Sequence, residues 1–430
     1  MQTLIVFGDD CLNMSDIKSI YIFNHYAGPP SIAGGIRHYN FARYLKKEGY
    51  NVTIFAASTL HNTKQNLITG NEKYITNADE GVPFVFIKTC DYIGNGISRI
   101  RNMLGYFFGL LSVTPMFIKP DCILASSVHP LTCVAGILLA RRWKIKCIVE
   151  IRDLWPETIV AIKGMSKKHP VIVALYMMEK WIYRKADSII FTMEGGAEYI
   201  REKGWDKVID MSKVYHINNG VDLEEFEYNR TQYRVEDEDL DNPNIFKIIY
   251  AGSIRTDNNI GKFIDVAKVL KKRGYDNIRF IIYGDGEERE YLEKRCIEED
   301  VKNVIFKGFV NKKYIPYILS KGDINLLHYN RDGAVEVLKY GGSYNKQFDY
   351  FASGKPILST VSANYDLISQ YQCGVVVESD DPEEIAEAII SIYKSDTTTN
   401  NQMRTNLNKA AQDYNFENLT RKLINIIESP

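Results

Sequence analysis

The sequence predicts an α/β protein of two doubly wound domains in tandem, facing one another across a cleft. Three observations carry this. From Ser19 onward short apolar runs alternate with helical patterns. The alternation pauses once, at "VEDEDLDNPN" (235–244), and then restarts. And "LKKEGYNVTIF" (45–55) returns as "LKKRGYDNIRF" (270–280). Continuous apolar runs between helices are what parallel strands buried on both faces look like. A chain of 430 residues is also too long for one ordinary core.

Taken in order, residues 1–18 read as an N-terminal extension: "TLIVFGDD" resembles a strand, but "SIYIF" (19–23) makes the better first one. The first domain, 19–240, continues with "NVTIFAA" (51–57), "FVFIK" (84–88), "CILAS" (122–126), "KCIVEI" (146–151) and "SIIFT" (188–192). The acidic stretch with Pro243 has no periodicity and reads as a solvated surface loop or linker. The second domain, 245–412, runs through "FKIIYAG" (246–252), "IRFIIYG" (278–284), "NVIFKG" (303–308), "DINLLHY" (323–329), "PILST" (356–360) and "GVVVES" (374–379). Residues 413–430 form an amphipathic helix expected to pack back on the first domain. The repeated stretch then explains itself. Each copy closes the first helix of its own half with a lysine pair, where cations favour the carboxyl terminus, and a glycine that can adopt the left-handed cap. Each leads into the second strand.

Composition narrows the partners. The formal net charge of −1 gives no electrostatic reason to expect nucleic acid. The seven cysteines are scattered and contain no C-x-x-C pair, which fits a reducing cytosol better than a disulfide framework or a zinc site. The N-terminus lacks the basic start and apolar run of a secretory signal. The apolar stretch "MLGYFFGLLSVTPMFI" (103–118) is short for a bilayer span and is broken by Gly105, Gly109 and Pro115. With Arg99, Arg101 and Lys119 around it, two readings stand: a peripheral membrane contact on one face of the first domain, or a buried core helix.

Candidate site residues cluster at strand-to-helix turns. Gly34 and Gly35 precede the first helix and would let backbone N–H groups approach a phosphate, although the dinucleotide fingerprint G-x-G-x-x-G is absent. Arg255 follows a strand directly, either facing the cleft to neutralise a diphosphate or standing as an ordinary surface arginine. "YGDG" (283–286) is another glycine turn, as consistent with backbone approach to a ligand as with a plain turn. In "KYGGSYNKQFDYFASGKPILST" (339–360) a helix starts near Asn345 and carries Lys346 and Asp349 on one face, as a ligand-binding pair or a local helix pair. A carboxylate there could accept both hydroxyls of a ribose diol. His25, His38 and His129 fall near strand ends facing the cleft, with a structural role for each as plausible as a functional one. No spacing suggests a metal.

The turn "AGGIRHYNFARYLKKEGYNVTIFAAS", then "EIRDLWPE" (150–157), "NNGVDLEEF" (218–226), "YAGSIR", "YGDG" and "NKQFDYFASGKPIL" occur in the order found in family 4 glycosyltransferases, which the chain resembles over nearly its whole length from Ser19. The resemblance implies the GT-B fold of two Rossmann-like domains and a retaining, nucleotide-sugar-dependent, metal-free reaction in which the nucleotide sugar is a substrate and no cofactor is needed. It is nearest the bacterial enzymes that extend lipid-linked oligosaccharides for O-antigen or capsule, often from N-acetylated UDP-sugars. That implies a cytoplasmic protein, peripheral on the inner membrane face, with a lipid-linked or oligosaccharide acceptor.

Carried over position by position, Gly34 and Gly35 match the glycine loop near the donor phosphates. Arg255 matches the diphosphate arginine, Gly284 belongs to a ligand-side turn, and Gly308, Phe309 and Val310 match the loop at the base. Asp349 stands at the second glutamate of the family's Glu, seven residues, Glu motif, which binds the ribose. Three departures follow. The first glutamate of that motif falls on Gly341. The phosphate lysine falls on Asn258; Lys262 is offset, and Lys346 is another substitute. The usual catalytic-side histidine is replaced by Arg152 and Asp153, with Trp155 and His129 on the acceptor side. The expected roles are Arg255 stabilising the departing diphosphate and Arg152 or Asp153 orienting the acceptor or the hexose. A nucleotide-sugar 2-epimerase of the same fold and a non-catalytic sugar-nucleotide-binding subunit are the alternatives.

Overall fold

The computed structural model describes residues 18–32, 36–61, 63, 65–94, 96–329, 335–361 and 363–429. The N-terminal extension up to residue 17 and the candidate residues Gly34 and Gly35 lie outside the described residues.

Strands β1 (Ser19–Phe23), β2 (Asn51–Ala57), β3 (Tyr74–Asp79), β4 (Val82–Ile87), β5 (Cys122–Ser126), β6 (Lys146–Ile151), β7 (Ser188–Phe191) and β8 (Val214–His216) form one sheet, in the order β3-β4-β2-β1-β5-β6-β7-β8. Strands β9 (Phe246–Ala251), β10 (Ile278–Tyr283), β11 (Val304–Gly308), β12 (Ile324–Leu327), β13 (Ile357–Ser359) and β14 (Gly374–Val376) form the other, in the order β11-β10-β9-β12-β13-β14. The described pairings are parallel, apart from the antiparallel hairpin of β3 with β4. Each order grows outward from a first strand and then reverses, between β1 and β5 and between β9 and β12. Such a switch point opens a crevice at the carboxyl ends of the strands, where α/β sheets bind ligands.

Alternation along each strand builds the second sheet's two cores. Ile248, Tyr250, Ile278, Phe280 and Ile282 face one layer, which includes Phe263, Val266 and Leu270 of the helix Lys262–Lys272. Ile249, Ala251, Ile281 and Tyr283 face the other, against Phe348 and Phe351 of the helix Asn345–Ser353. The two repeated helix endings have the expected geometry. The helices Arg37–Lys47 and Lys262–Lys272 end on their lysine pairs, and Gly49 and Gly274 follow at φ +86° and +84°. One compact unit runs to Glu150 and takes in Lys185–Ser188 and the chain from Ile427. The other holds Ile151–Arg184 and Ile189–Ile426.

The acidic stretch is not the solvated loop the sequence suggests. Glu238–Asp241 forms a helical turn capped by Asp237, whose carboxylate accepts the Asp239 N–H. Lys307 bridges Asp237 and Asp239 at 2.7 Å each, Lys321 reaches Asp241 at 2.7 Å, and Leu240 is buried in the core between them. Arg279 reaches Asp239 as well, at 3.2 Å, and all three cations come from elements 40 to 80 residues further along the chain, so the run's local composition could not reveal them. Among the described residues no helix is long and apolar enough to cross a membrane.

Candidate functional site

The switch point of the six-stranded sheet is built from three strand ends laced together through glycines. A side chain at Gly284 would collide with the Gly252 carbonyl, and one at Gly286 with the Ile254 carbonyl. The close approach permits backbone bonds from Gly252 N–H to Tyr283 O (2.9 Å), Ile254 N–H to Asp285 O (2.9 Å) and Gly284 N–H to Gly308 O (2.8 Å). Over this floor stands the Lys346 ammonium. It donates to the Tyr250 hydroxyl at 2.9 Å and lies 4.3 Å from the Tyr250 ring centre and 5.4 Å from that of Tyr329, just after β12. Any side chain at Gly252 would overlap it. Two aromatic faces and an absent Cβ thus hold one positive charge between β9 and β12.

Three turns surround it. Arg255 is exposed in extended backbone at the start of the turn Thr256–Asn258. Asn258 is buried, its amide nitrogen donating to Ser253 O (2.9 Å) and Ser253 Oγ (2.8 Å), so it braces the Arg255 loop from within. Gly308 ends β11 at φ +77° and Phe309 follows, 77% exposed, while Val310 packs against the core. Asn345 is exposed at the first turn of its helix. Asp349, one turn beyond Lys346, is half-buried, and no described hydrogen bond engages its carboxylate. Burial pushes that carboxyl above the ordinary aspartate value, Lys312 pulls it back and Glu225 adds to the rise.

At the first sheet's switch point the polar groups are engaged with one another. Glu150 on β6 is buried and accepts Arg37 at 2.8 Å on Oε1, and His38 Nε2 and Ser126 Oγ at 2.8 Å on Oε2. Asn24 Nδ2 meets His38 Nδ1 at 2.6 Å, which leaves the His38 proton on Nε2, facing Glu150. Arg37 and His38 open the helix that follows the glycine loop, so this pair anchors its start. His25 bridges Asn102 Oδ1 (2.6 Å) and His129 Nε2 (2.7 Å). Burial pulls His25 down to about 3 and His129 well below its ordinary value, so both are neutral. His129, expected on the acceptor side, is buried within this network. Among the described residues, no group of three or more His, Cys, Asp or Glu side chains is placed to hold a metal ion.

Residues 35–225 match the family model described as Glycosyltransferase Family 4, and residues 235–414 match the one described as Glycosyl transferases group 1. The chain is a family 4 glycosyltransferase. An uncharacterized glycosyltransferase of Methanocaldococcus jannaschii is 23% identical over 419 residues, which cover 95% of this chain and 96% of that one. Other matches are partial: the chain spans 53% of a second such protein of that archaeon and 36% of the 2-deoxystreptamine N-acetyl-D-glucosaminyltransferase of Niallia circulans, at 24% identity to each. Anabaena HepE in complex with UDP superposes with a TM-score of 0.64 at 14% identity, covering 96% of this chain and all of that one. Sucrose-phosphate synthase of Thermosynechococcus elongatus gives 0.68 at 16% identity, over 95% and 98%. The fold is GT-B.

In this glycosyltransferase the segment after β6 places Arg152 half-buried, Asp153 exposed and Trp155 half-buried at the start of the helix Trp155–Lys163. Glu157, in the same motif, is structural: it accepts from Tyr176 at 2.8 Å and is paired with Lys203. Sequence reasoning missed three features. The Glu150 anchor could have been suspected from a glutamate inside an apolar strand. The aromatic cradle of Lys346 joins two strands, and Glu194, after β7, lies against Gly341. The last two depend on contacts between segments distant along the chain.

Proposed function

We propose that this glycosyltransferase moves a hexose, with retention of anomeric configuration, from a UDP-sugar to a hydroxyl of a glycan or lipid-linked acceptor in surface polysaccharide synthesis. The observation that carries the donor half is the Lys346 ammonium over Gly252 at the switch point, with Asp349 one turn along the same helix. A diphosphate at that point gains charge as the glycosidic bond breaks. Lys346 and Arg255 stabilise it, and a preorganised charge does so without reorganising solvent. The Asp349 carboxylate accepts the ribose hydroxyls, and the exposed Phe309 ring offers a face to the base. The departing phosphate itself takes the acceptor proton. The protein's part is to orient both substrates, with Arg152, Asp153 and Trp155 on the acceptor side.

Two likenesses support the donor: UDP in the Anabaena structure, and an N-acetylglucosaminyltransferase among the relatives. A membrane-bound acceptor is supported by the helix Ile97–Val113, whose Ile97, Ile100, Leu104 and Phe108 are exposed along one face. The test is incubation with a panel of UDP-sugars and lipid-linked acceptors, followed by proton NMR of the product. The α configuration of the donor should be kept. An inverted product, or no transfer from any nucleotide sugar, contradicts the proposal.

A further inference from the structure

Gly341 begins the turn that leads into the helix of Lys346 and Asp349. Its φ of +92° lies in the left-handed region. The space its side chain would take belongs to another residue: a Cβ at 341 would stand 2.8 Å from Glu194 Oε2 and 3.4 Å from Glu194 N. The facing position is glycine too. A Cβ at Gly195 would lie 2.7 Å from Tyr340 Cα, and Gly195 N–H donates to Tyr340 O at 2.8 Å. Two facing glycines let the segment after β7 press a carboxylate onto the turn.

That carboxylate is firmly held and only half engaged. Asn218 Nδ2 donates to Oε1 at 2.9 Å, and His216 Nε2 is 3.6 Å from the same oxygen. Asn218 is fixed in turn, since the Ser343 hydroxyl donates to its Oδ1. Asn219 adds bonds from its N–H to Ser343 Oγ (3.0 Å) and from its side chain to Ser343 O (3.1 Å). Oε2 is buried and accepts no hydrogen bond among the described residues, while the side chain keeps 15% of its surface open. Buried polar atoms are nearly always paired, so a rigidly placed exception calls for a partner that arrives from outside.

We propose that Glu194 is a specificity-determining residue for the donor sugar, its carboxylate accepting a hydroxyl of the hexose seated by Gly341. It supplies from the β7 segment the carboxylate that residue 341 does not carry. The inference rests on the nucleotide-sugar reading above. Burial lifts Glu194 to about 7, against its own backbone N–H and the Asn218 hydrogen bond, and the titratable groups around it among the described residues include His216, Tyr365 and Tyr414. The accepting, ionised form therefore gains population as pH rises through about 7, and the sugar's share of binding rises with it.

The test is calorimetry of UDP, UDP-glucose, UDP-galactose, UDP-N-acetylglucosamine and UDP-N-acetylgalactosamine with wild type and Glu194→Gln, at about pH 6 and 8. Both proteins should bind UDP equally. In wild type one sugar should add affinity, more at the higher pH, and in the variant that gain should fall by about tenfold or more. A gain that survives in the variant overturns this inference and leaves the nucleotide-sugar reading standing. Loss of UDP binding in the variant also overturns it, because Glu194 would then only hold the turn through Asn218. Failure of wild type to bind UDP or any donor overturns both. A carbon NMR measurement on wild type needs no variant: the Glu194 carboxyl resonance should move with the UDP-sugar and not with UDP, and a static resonance contradicts the role.

Discussion

At the scale of single residues, the candidate donor site turns on how its polar groups are engaged. Asn258, which the family pattern places at the phosphate lysine, is tied to Ser253, while Lys346 occupies the strand ends. Asp349 faces Lys312 and Glu225 electrostatically and has no described hydrogen-bond donor. Asp349→Asn should therefore weaken UDP binding by about 1.5–3 kcal/mol, the worth of a hydrogen bond to a charged acceptor. A 2′,3′-dideoxy analogue should bind wild type and variant almost equally. Calorimetry showing that the variant still distinguishes ribose from dideoxyribose as wild type does would remove Asp349 from the ribose. Lys346 and Asp349 were legible in the sequence because their i, i+3 spacing puts them on one helix face. Glu194 was not, because nothing local in "FTMEGG" says that Gly341 lies against it.

At the scale of elements, continuous apolar runs were a sufficient signal for buried strands: "SIYIF" is β1 and "NVTIFAA" is β2, residue for residue. The edge strand β3 escaped, since "YITNAD" has no buried residue and is set only by pairing with β4. The helix Ile97–Val113 was open between surface and core, and it is both. Met103, Tyr106, Leu110 and Val113 are buried, whereas Ile97, Ile100, Leu104 and Phe108 form an exposed stripe at helical spacing, near the exposed Arg101. An apolar face beside cations suits the interface of an anionic bilayer. Wild type should float with liposomes containing anionic lipid, and Leu104→Glu/Phe108→Glu should not while melting normally. Equal flotation of the two would sink the membrane contact.

At the scale of the whole molecule, buried titratable groups set opposing pH dependences. Glu179, between the Tyr183 and Tyr199 hydroxyls, is raised by burial to about 7, as is Glu194. A raised carboxyl favours the folded state below its ordinary value, and that contribution is lost as pH rises through about 7. His25 and His129 act in the other sense, since their lowered values make stability fall as pH drops below about 6.5. Denaturant titrations should show Glu194→Gln losing less stability than wild type between about pH 6 and 8; parallel curves would mean that Glu194 is not raised. The central claim, that the switch point between β9 and β12 receives a nucleotide diphosphate on Lys346, is tested most directly by calorimetry of UDP against uridine on wild type and Lys346→Met. Wild type should bind UDP at least about tenfold more tightly than uridine, and Lys346→Met should lose most of that difference while keeping uridine affinity. A difference that persists undiminished in Lys346→Met would contradict the account.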